Sequence, residues 1–368
     1  MDSNRVRIGI VGVGQISAQY LQTLPDLPEL ELVAVADLDA DRARQVAADQ
    51  GVVALSLPDL LAYDDVDLVL NLTVPAVHVE VGTAALEAGR HLYAEKPLGL
   101  SLADAAPMVQ LARERGLRIG SAPDTVLGTG VQTARHLLDS GVVGEPYAAA
   151  VAWSSPGHEA WHPAPYFYYS PGGGPLLDMG PYYLTALVTL LGPVERVSGL
   201  SRRSSRLRTV ATGPQAGTPV PVTVDTSVQA LLEHRGGTTS TVSLSFDVRA
   251  SRRPLFEVYG TTGTVAVPDP NTFDGLVEVW TAATGEWRPV PAAAGYAGAG
   301  RGVGVADLAR ALATGGPHRA SGDLALHVLE IMDAIPRSSA EHAAVELATT
   351  VERPEPVPLG SGVATSAG

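Results

Sequence analysis

Cysteine is absent from this 368-residue chain, and lysine occurs only once. The lack of cysteine excludes disulfide bonds, thiol catalysis and cysteine-ligated zinc, and it leaves the redox compartment open. Long apolar runs are missing too: no stretch reaches about 18 residues, and Val6 is preceded by no cationic leader with an apolar run. We therefore expect a cytoplasmic protein with no membrane partner.

Basic charge is also scarce, since the formal net charge is −14. Such a chain repels a phosphate backbone, and no basic stripe with interleaved aromatic residues offsets that repulsion. We expect no nucleic-acid partner. The length is about twice that of a usual domain and predicts two domains, each with its own core.

The single lysine is Lys96, in the string Ala94-Glu95-Lys96-Pro97. Lysine and arginine total 25, so the other 24 basic residues are arginines. A guanidinium stays charged at working pH, whereas an ammonium can lose a proton and act as a base. Either Lys96 is needed for that proton, or codon bias has left one lysine on the surface.

The first apolar run, residues 5–11, leads into Gly12-Val13-Gly14-Gln15-Ile16-Ser17. A strand, a glycine turn and a helix predict a dinucleotide site. Gly12 permits the tight turn, Gly14 allows the pyrophosphate to approach, and the helix start supplies free N–H groups. Ser17 stands where a third glycine is usual and is small enough for close packing. The alternative is a glycine turn without a function.

A second apolar run, residues 32–36, ends in Asp37. An acidic residue at this place accepts hydrogen bonds from the adenosine ribose and repels a 2′-phosphate, so NAD is favoured over NADP. Arg42 complicates this preference, although we expect it on the solvated face of the next helix.

The remaining first-domain pattern predicts strands at 68–72, 91–94 and 118–122 and a helix at 79–88. Strands that alternate with helices predict a parallel, doubly wound Rossmann sheet, here within residues 1–122, with ligands at the carboxyl ends of its strands. Thr73, Pro75 and Glu95-Lys96 fall at such ends. This position places Lys96 beside the nicotinamide half of a bound dinucleotide.

From about residue 123 the pattern changes to alternating runs separated by glycine turns. They predict an α+β domain over 123–351 with a large, open, mostly antiparallel sheet and helices on one face. The runs and helices lie at 129–138 (helix), 147–153, 222–233, 239–247, 255–259, 264–267, 276–281, 303–313 (helix) and 324–337 (helix). Residues 352–368 are rich in Pro, Gly, Ser and Ala and predict a disordered tail.

The string His158-Glu159-Ala160-Trp161-His162 matches the HExxH zinc-protease motif. That chemistry needs an α-helix to hold both histidines on the metal. Prolines on both sides of the string disfavour such a helix. We therefore predict no metal site and treat a peptidase as the most distant alternative.

Residues 171–185 form a glycine loop followed by an apolar helix that carries Asp178 and Tyr182 one turn apart on one face. Polar groups repeated on an apolar helix after a glycine loop are typical of a cleft. The alternative is a capping aspartate beside a core tyrosine.

Together, the GVGQIS turn, Asp37, the TVPAVH segment, AEKP and the GGGPLLDMGPYYL helix resemble the Gfo/Idh/MocA oxidoreductases, over residue 6 to about residue 337. The resemblance implies a Rossmann domain and a sheet domain that builds a homodimer or homotetramer. It also implies oxidation or reduction of a hydroxyl carbon of a sugar or cyclitol with NAD(P). Lys96 would be the acid/base, with Asp178 as its partner. Tyr182 stands where many members have a histidine, and His162 replaces an arginine.

The site predicted from these residues has three parts. The catalytic set is Lys96, Asp178 and Tyr182. The set that binds the cofactor is Gly12, Gly14, Gln15, Ile16, Asp37, Thr73, Pro75, His78, Glu95, Lys96, Trp161 and His162. The set that binds the substrate is Lys96, Asp124, His162, Tyr166, Asp178 and Tyr182. The neighbouring rings of Trp161, Tyr166, Phe167, Tyr168 and Tyr169 form either a sugar platform or an interface.

We expect an NAD-dependent dehydrogenase that acts on a secondary hydroxyl of a sugar, glycoside or cyclitol. Two other functions remain open. One is an NAD-dependent glycosidase that oxidises its substrate transiently and then eliminates, and the other is a non-catalytic regulator that senses a dinucleotide.

Overall fold

The computed structural model describes residues 5–360, and the chain divides into two compact units. The first unit runs from the start of the described chain to Gly128 and includes Gly295–Leu326 and residues 357–360. The second comprises Thr129–Ala294 and His327–Pro356. The predicted contiguous domains, 1–122 and 123–351, are therefore corrected: a late segment of the chain rejoins the first unit.

The first unit contains a six-stranded parallel sheet in the order β3-β2-β1-β4-β5-β6. Its strands are β1 (Val6–Val11), β2 (Leu30–Ala36), β3 (Val53–Leu55), β4 (Leu68–Asn71), β5 (His91–Ala94) and β6 (Ile119–Ser121). The helices that follow these strands are α1 (Ser17–Thr23), α2 (Ala40–Gln50), α3 (Leu57–Ala62), α4 (His78–Glu87) and α5 (Leu102–Glu114). This order of strands is that of a dinucleotide-binding Rossmann sheet, and it confirms the predicted fold.

Burial on both faces explains why these short runs form strands. Ile8 and Ile10 in β1 and Leu68 and Leu70 in β4 have no exposed surface. A parallel sheet covered by helices on both faces needs continuous apolar strands of this kind. The carboxyl ends of β1, β4 and β5 lie next to one another, because β4 pairs with both neighbours.

The second unit begins with helix α6 (Thr129–Asp139) and contains helix α7 (Gly174–Leu191). Its nine-stranded sheet has the order β16-β15-β14-β13-β7-β12-β11-β8-β17, and β9 and β10 form a separate hairpin. The strands are β7 (Pro146–Ser154), β8 (Val194–Arg202), β9 (Leu207–Thr209), β10 (Pro219–Pro221), β11 (Ser227–His234), β12 (Thr239–Ser245), β13 (Phe256–Gly260), β14 (Gly263–Ala266), β15 (Val277–Thr281), β16 (Trp287–Val290) and β17 (Val345–Glu346). Helix α8 (Val303–Thr314) belongs to the late segment of the first unit, and helix α9 (Gly322–Glu341) begins in that segment and continues into the second unit.

This second sheet is mixed. Only β7 and β12 pair in parallel, and the other neighbours of the sheet within residues 5–360 are antiparallel. α7 packs against β11 and β12, where Val228 and Leu232 alternate with exposed residues. The prediction of a large, mostly antiparallel sheet is confirmed. The run at 222–233 is corrected, because its strand begins only at Ser227.

Residues 352–360 are not a disordered tail, and that prediction is corrected for this part. Val357 is fully buried and its carbonyl oxygen accepts a hydrogen bond from the Gly295 N–H (2.8 Å). In the second unit, the Pro354 carbonyl oxygen accepts from Arg135. Residues 361–368 lie outside the described residues.

Candidate functional site

The glycine turn after β1 has the geometry that the sequence predicts. Gly12 has φ of 90°, and a Cβ there would lie 2.8 Å from the backbone of Leu72 and Thr73. Within residues 5–360, no heavy atom lies within 4 Å of a Cβ built on Gly14, so its backbone is approachable. Ser17 is buried and its hydroxyl donates to the Gly14 carbonyl oxygen (2.7 Å), which shows how a serine fits at the third position. Gln15 is exposed and Ile16 half-buried at the start of α1.

Asp37 follows β2 and is fixed by the same turn. Its Oδ2 accepts from the Val13 N–H (2.8 Å), and its Oδ1 accepts from the Asp39 N–H (2.8 Å). Arg42, expected on a solvated face, is half-exposed but also lies 3.7 Å from Oδ1 of Asp37 and 3.3 Å from Oδ2 of Asp39. A guanidinium thus offsets part of the negative charge that the preference for NAD relies on.

Lys96 follows β5 and is half-buried. Its backbone N–H donates to Oε2 of Glu95 (2.9 Å), and the buried Tyr20 hydroxyl donates to Oε1 of the same carboxylate (2.8 Å). Burial, reinforced by the negative charge of Glu95, raises the pKa of Tyr20 well above its usual value, so this phenol stays a donor. Glu95, predicted to contact a cofactor, instead uses both oxygens to fix the peptide that carries Lys96.

His78 is also a scaffold residue, which corrects its predicted contact with a cofactor. Its side chain is fully buried, with Nδ1 2.7 Å from the Pro97 carbonyl oxygen and Nε2 3.0 Å from that of Thr73. Thr73 itself donates its hydroxyl to Asn71 (2.6 Å), and Pro75 begins a 3-10 helix beside it. His78 therefore ties the loop after β4 to the segment after Lys96.

Asp124 is the second correction. Predicted to bind substrate, it has no exposed surface, and its Oδ2 accepts from the backbone N–H groups of Gly302 (2.9 Å) and Gly304 (3.2 Å). Burial raises the pKa of Asp124, and the nearby Arg301 guanidinium (3.5 Å) works in the opposite direction. Asp124 holds the late chain segment to the first unit instead of facing a ligand.

Asp178 and Tyr182 lie one turn apart on α7, as predicted. The helix begins at Gly174 after the glycine loop, and a Cβ on Gly173 would clash with the Phe167 carbonyl oxygen, so the loop needs glycine there. The Asp178 side chain retains 16% of its accessible surface, whereas Tyr182 is buried. Asp178 therefore presents a carboxylate on a helix whose other residues belong mainly to the core.

The HEAWH segment forms no α-helix. His158–Ala160 is a single 3-10 turn, as its flanking prolines predict. The buried His158 has its Nε2 3.5 Å from Oδ2 of Asp178. Across residues 5–360, no group of three His, Cys, Asp or Glu side chains could hold a metal. That the protein works without a metal stays a prediction.

The aromatic residues after this turn divide into two sets. Trp161 and Phe167 are exposed, and His162 is half-buried with its ring 5.4 Å from that of Trp161. Tyr169 is buried in a small core with Phe246. Tyr166 is half-buried and packs against this core, and its hydroxyl lies 3.1 Å from that of Thr218; its predicted substrate contact stays a proposal. The predicted contacts of Trp161 and His162 stay proposals.

Sequence reasoning missed three residues that support the site: Tyr20, Asn71 and His158. A signal existed for each. Tyr20 is an aromatic residue with a hydroxyl on helix α1, and Asn71 is a polar residue at the end of the buried strand β4. His158 lies in the HEAWH string, which matches the zinc-protease motif. The hydrogen-bond partner of Tyr20, Glu95, lies 75 positions away, which a local pattern does not reveal.

No helix within the described residues is long and apolar enough to cross a membrane.

Two family models match the chain. Residues 6–122 match an oxidoreductase family with an NAD-binding Rossmann fold, and residues 131–266 match the GFO/IDH/MocA C-terminal domain. The chain is 31% identical to dTDP-3,4-didehydro-2,6-dideoxy-alpha-D-glucose 3-reductase of Streptomyces antibioticus, over 76% of this chain and 81% of that protein. It is 34% identical to inositol 2-dehydrogenase 3 of Saccharopolyspora erythraea, over 41% of this chain and 46% of that protein.

A solved structure supports the fold alone. Levoglucosan dehydrogenase in complex with NADH and L-sorbose superposes with a TM-score of 0.81 at 20% identity, over 94% of this chain and 99% of that one.

Proposed function

The chain belongs to the Gfo/Idh/MocA family of NAD-binding oxidoreductases, and from that membership we propose that it interconverts a secondary hydroxyl and a ketone on a sugar, glycoside or cyclitol with NAD. The observation that carries the proposal is the shared sheet edge in the first unit. There the glycine turn after β1 and Lys96 after β5 lie at the carboxyl ends of strands joined through β4. Ligands of open parallel sheets bind at such ends.

The residues present fit a dinucleotide. Gly12 and Gly14 leave backbone where a side chain would obstruct a pyrophosphate, and Asp37 lies where ribose hydroxyls need an acceptor. We propose Gly12, Gly14, Asp37 and Thr73 as the residues that hold it. When bound, NAD supplies the two-electron acceptor that oxidation of a hydroxyl carbon requires.

Lys96 is the proposed acid/base. In oxidation its amine removes the proton of the substrate hydroxyl, and in reduction its ammonium returns that proton to the carbonyl oxygen. The peptide of Lys96 is anchored through Glu95 to Tyr20, so the base starts from a fixed backbone position. Lys96 is the only lysine in the sequence, and the other 24 lysine or arginine positions are arginine.

Asp178 and Tyr182 are proposed to orient the reacting hydroxyl. A carboxylate accepts the substrate's hydrogen bond, while a phenol one helical turn away can donate. Sugars carry several hydroxyls, so an acceptor and a donor at fixed spacing select one of them. The names of the sugar reductase and the inositol dehydrogenase support this class of substrate.

The direct test is a screen of the purified protein with NAD against monosaccharides, glycosides, inositols and a dTDP-linked keto sugar, the last with NADH. We expect one NADH formed or consumed per substrate converted, read at 340 nm. Release of an aglycone with no net change in NADH would instead establish the glycosidase alternative. Tight binding of NADH without turnover across the whole panel would favour the sensing regulator and refute the proposal.

We also propose a homodimer or homotetramer that uses the outer face of the second-unit sheet. Leu200 on β8 and Leu231 on β11 are exposed on this face, and the small residues Ala150 on β7 and Ser243 on β12 line the same surface. Exposed apolar groups on a flat sheet surface favour burial against a partner. A cytoplasmic location likewise remains a proposal, testable by fractionation.

A further inference from the structure

The HEAWH segment places a histidine against α7. His158 begins the 3-10 turn after β7. It is buried, whereas the other histidine of the segment, His162, is half-buried. Because the segment is a 3-10 turn and lacks the α-helix of the HExxH motif, the motif does not explain this burial. Burial of an imidazole costs free energy unless a partner or packing compensates.

Aromatic rings hold the imidazole in place. Tyr168 stacks on it with ring centroids 3.9 Å apart at 18°, Phe246 meets it edge-on at 4.5 Å, and Trp161 lies at 5.2 Å. Its backbone N–H also donates to the Tyr169 hydroxyl (3.0 Å). Rings on several sides fix the plane of the imidazole, so its two nitrogens have defined directions.

The Nε2 atom of His158 faces Asp178 on α7. Nε2 of His158 lies 3.5 Å from Oδ2 of Asp178, and the two side chains keep only 9% and 16% of their accessible surface. This distance exceeds that of a normal hydrogen bond, and catalytic contacts that are long in a resting enzyme often shorten when the reacting complex forms. With little water around the pair, its electrostatic coupling is stronger than at a protein surface.

The other charged groups near the segment have partners of their own. Glu159 accepts from Arg208 (2.7 Å) and from the Tyr169 hydroxyl, and Arg208 also binds Asp247. The phenols of Tyr168 and Tyr169 face the segment without carrying charge at neutral pH. This network engages Glu159, so Glu159 does not compete with Asp178 for the imidazole of His158.

We propose that His158 is the positioning residue of Asp178. Its Nε2–H donates to Oδ2 and thereby selects the orientation in which the carboxylate meets the substrate hydroxyl. The inference rests on the proposed function, because it is the proposed function that gives Asp178 a contact with substrate. His158 itself acts through Asp178 and needs no contact with the substrate.

The test compares two substitutions with opposite properties. His158→Gln keeps an N–H donor near the position of Nε2 but loses the aromatic stacking, whereas His158→Phe keeps the stacking and loses the donor. Positioning predicts that His158→Gln retains kcat within about fivefold and that His158→Phe loses roughly 10–100-fold in kcat, with KM little changed. A purely structural role predicts the reverse order, with Phe the better replacement.

A double-mutant cycle gives the second readout. If His158 acts through Asp178, then His158→Phe lowers kcat less than about twofold in an Asp178→Asn background. Melting temperature and NADH affinity report folding, and His136→Gln, at an exposed histidine of α6, serves as the matched control. Independent losses in the cycle, or the reverse order of variants, overturn the inference while the wild-type activity stands. A wild type inactive on every substrate overturns the proposed function and this inference together.

Discussion

Asp37 shows how a single carboxylate can set cofactor preference in this chain. Both its oxygens accept backbone N–H groups, so its position is fixed beside the glycine turn. A 2′-phosphate next to an ionised carboxylate in a partly desolvated site costs ~1–3 kcal/mol, or about one to two decades in affinity. We predict tighter binding of NADH than NADPH by that factor, measured by fluorescence titration.

The substitution Asp37→Ser should narrow this gap, since it removes the repulsion and leaves Arg42 to attract the phosphate. Asp39→Ser is the matched control. It removes a charge from the same turn, while serine can still cap α2 as Asp39 does by accepting from the Arg42 N–H. Equal dissociation constants for the two cofactors in the wild type would refute the prediction.

Residue roles were predictable where the local sequence alone imposes them. Gly12 needs its positive φ, and Asp37 follows directly from the end of an apolar strand. His78 and Asp124 were misassigned because their side chains form hydrogen bonds with backbone groups from elsewhere in the first unit. His78 contacts the carbonyl oxygen of Pro97, and Asp124 accepts from the N–H groups of Gly302 and Gly304. A polar residue at a strand end can serve a ligand or the scaffold, and only tertiary contacts distinguish these roles.

At the scale of elements, buried parallel strands were the easiest to predict. β5 was predicted at its observed bounds and β4 to within one residue, because both are short, mainly apolar and almost entirely buried. β8 was missed, since its burial pattern is irregular and Gly199 and two serines interrupt it. α5 was missed although it carries a capping Ser101, which accepts from the Asp104 N–H.

The contact of α9 with β8 predicts a pH-dependent stability. His327 on α9 is fully buried, its Nε2 accepts from the Val194 N–H (3.0 Å) at the start of β8, and its Nδ1 lies 2.9 Å from the Thr349 hydroxyl. Burial lowers the pKa of His327 to about 4, although the charge of Glu330 acts in the opposite direction. Protonation would also remove the acceptor that Val194 uses.

The unfolded chain therefore binds this proton near pH 6.5 and the folded chain only near pH 4. Between these values the unfolded state holds more protons, so stability is full above pH 6.5 and falls by about 3 kcal/mol as the pH drops toward 4. Urea unfolding of wild type and His327→Gln at pH 7, 6, 5 and 4.5 measures this effect. We expect the variant to be less stable at pH 7 and the difference to shrink as pH falls; parallel curves would contradict the assignment.

At the scale of the whole molecule, the sequence predicted two domains but not their chain composition. Residues 295–326 rejoin the first unit, where Tyr296 N–H donates to the Leu127 carbonyl oxygen (3.0 Å) and Ser121 N–H to that of Ala320 (2.9 Å). These bonds join residues about 170 to 200 positions apart along the chain. Patterns of period 2 or 3.6 carry no information at that separation.

Assembly through the outer sheet face gives a prediction at the same scale. Leu231→Arg should convert the proposed oligomer to monomers, because the new charge would be desolvated in the interface. Sedimentation velocity measures the change, and Leu276→Arg, at an exposed leucine before β15, is the matched control. An unchanged sedimentation coefficient for Leu231→Arg, with a folded protein, would place the interface elsewhere.

The measurement that tests the account most directly is kcat of Lys96→Arg at matched NAD saturation, together with NADH affinity. If the reaction needs a removable proton at this position, the variant keeps the charge, the fold and the affinity for NADH but loses roughly 10²–10⁴ in kcat. Arg113→Lys, at an exposed position on α5, controls for exchange of the two cations and should be neutral. A loss of less than about fivefold for Lys96→Arg would contradict the account and move acid/base catalysis away from the only lysine in the chain.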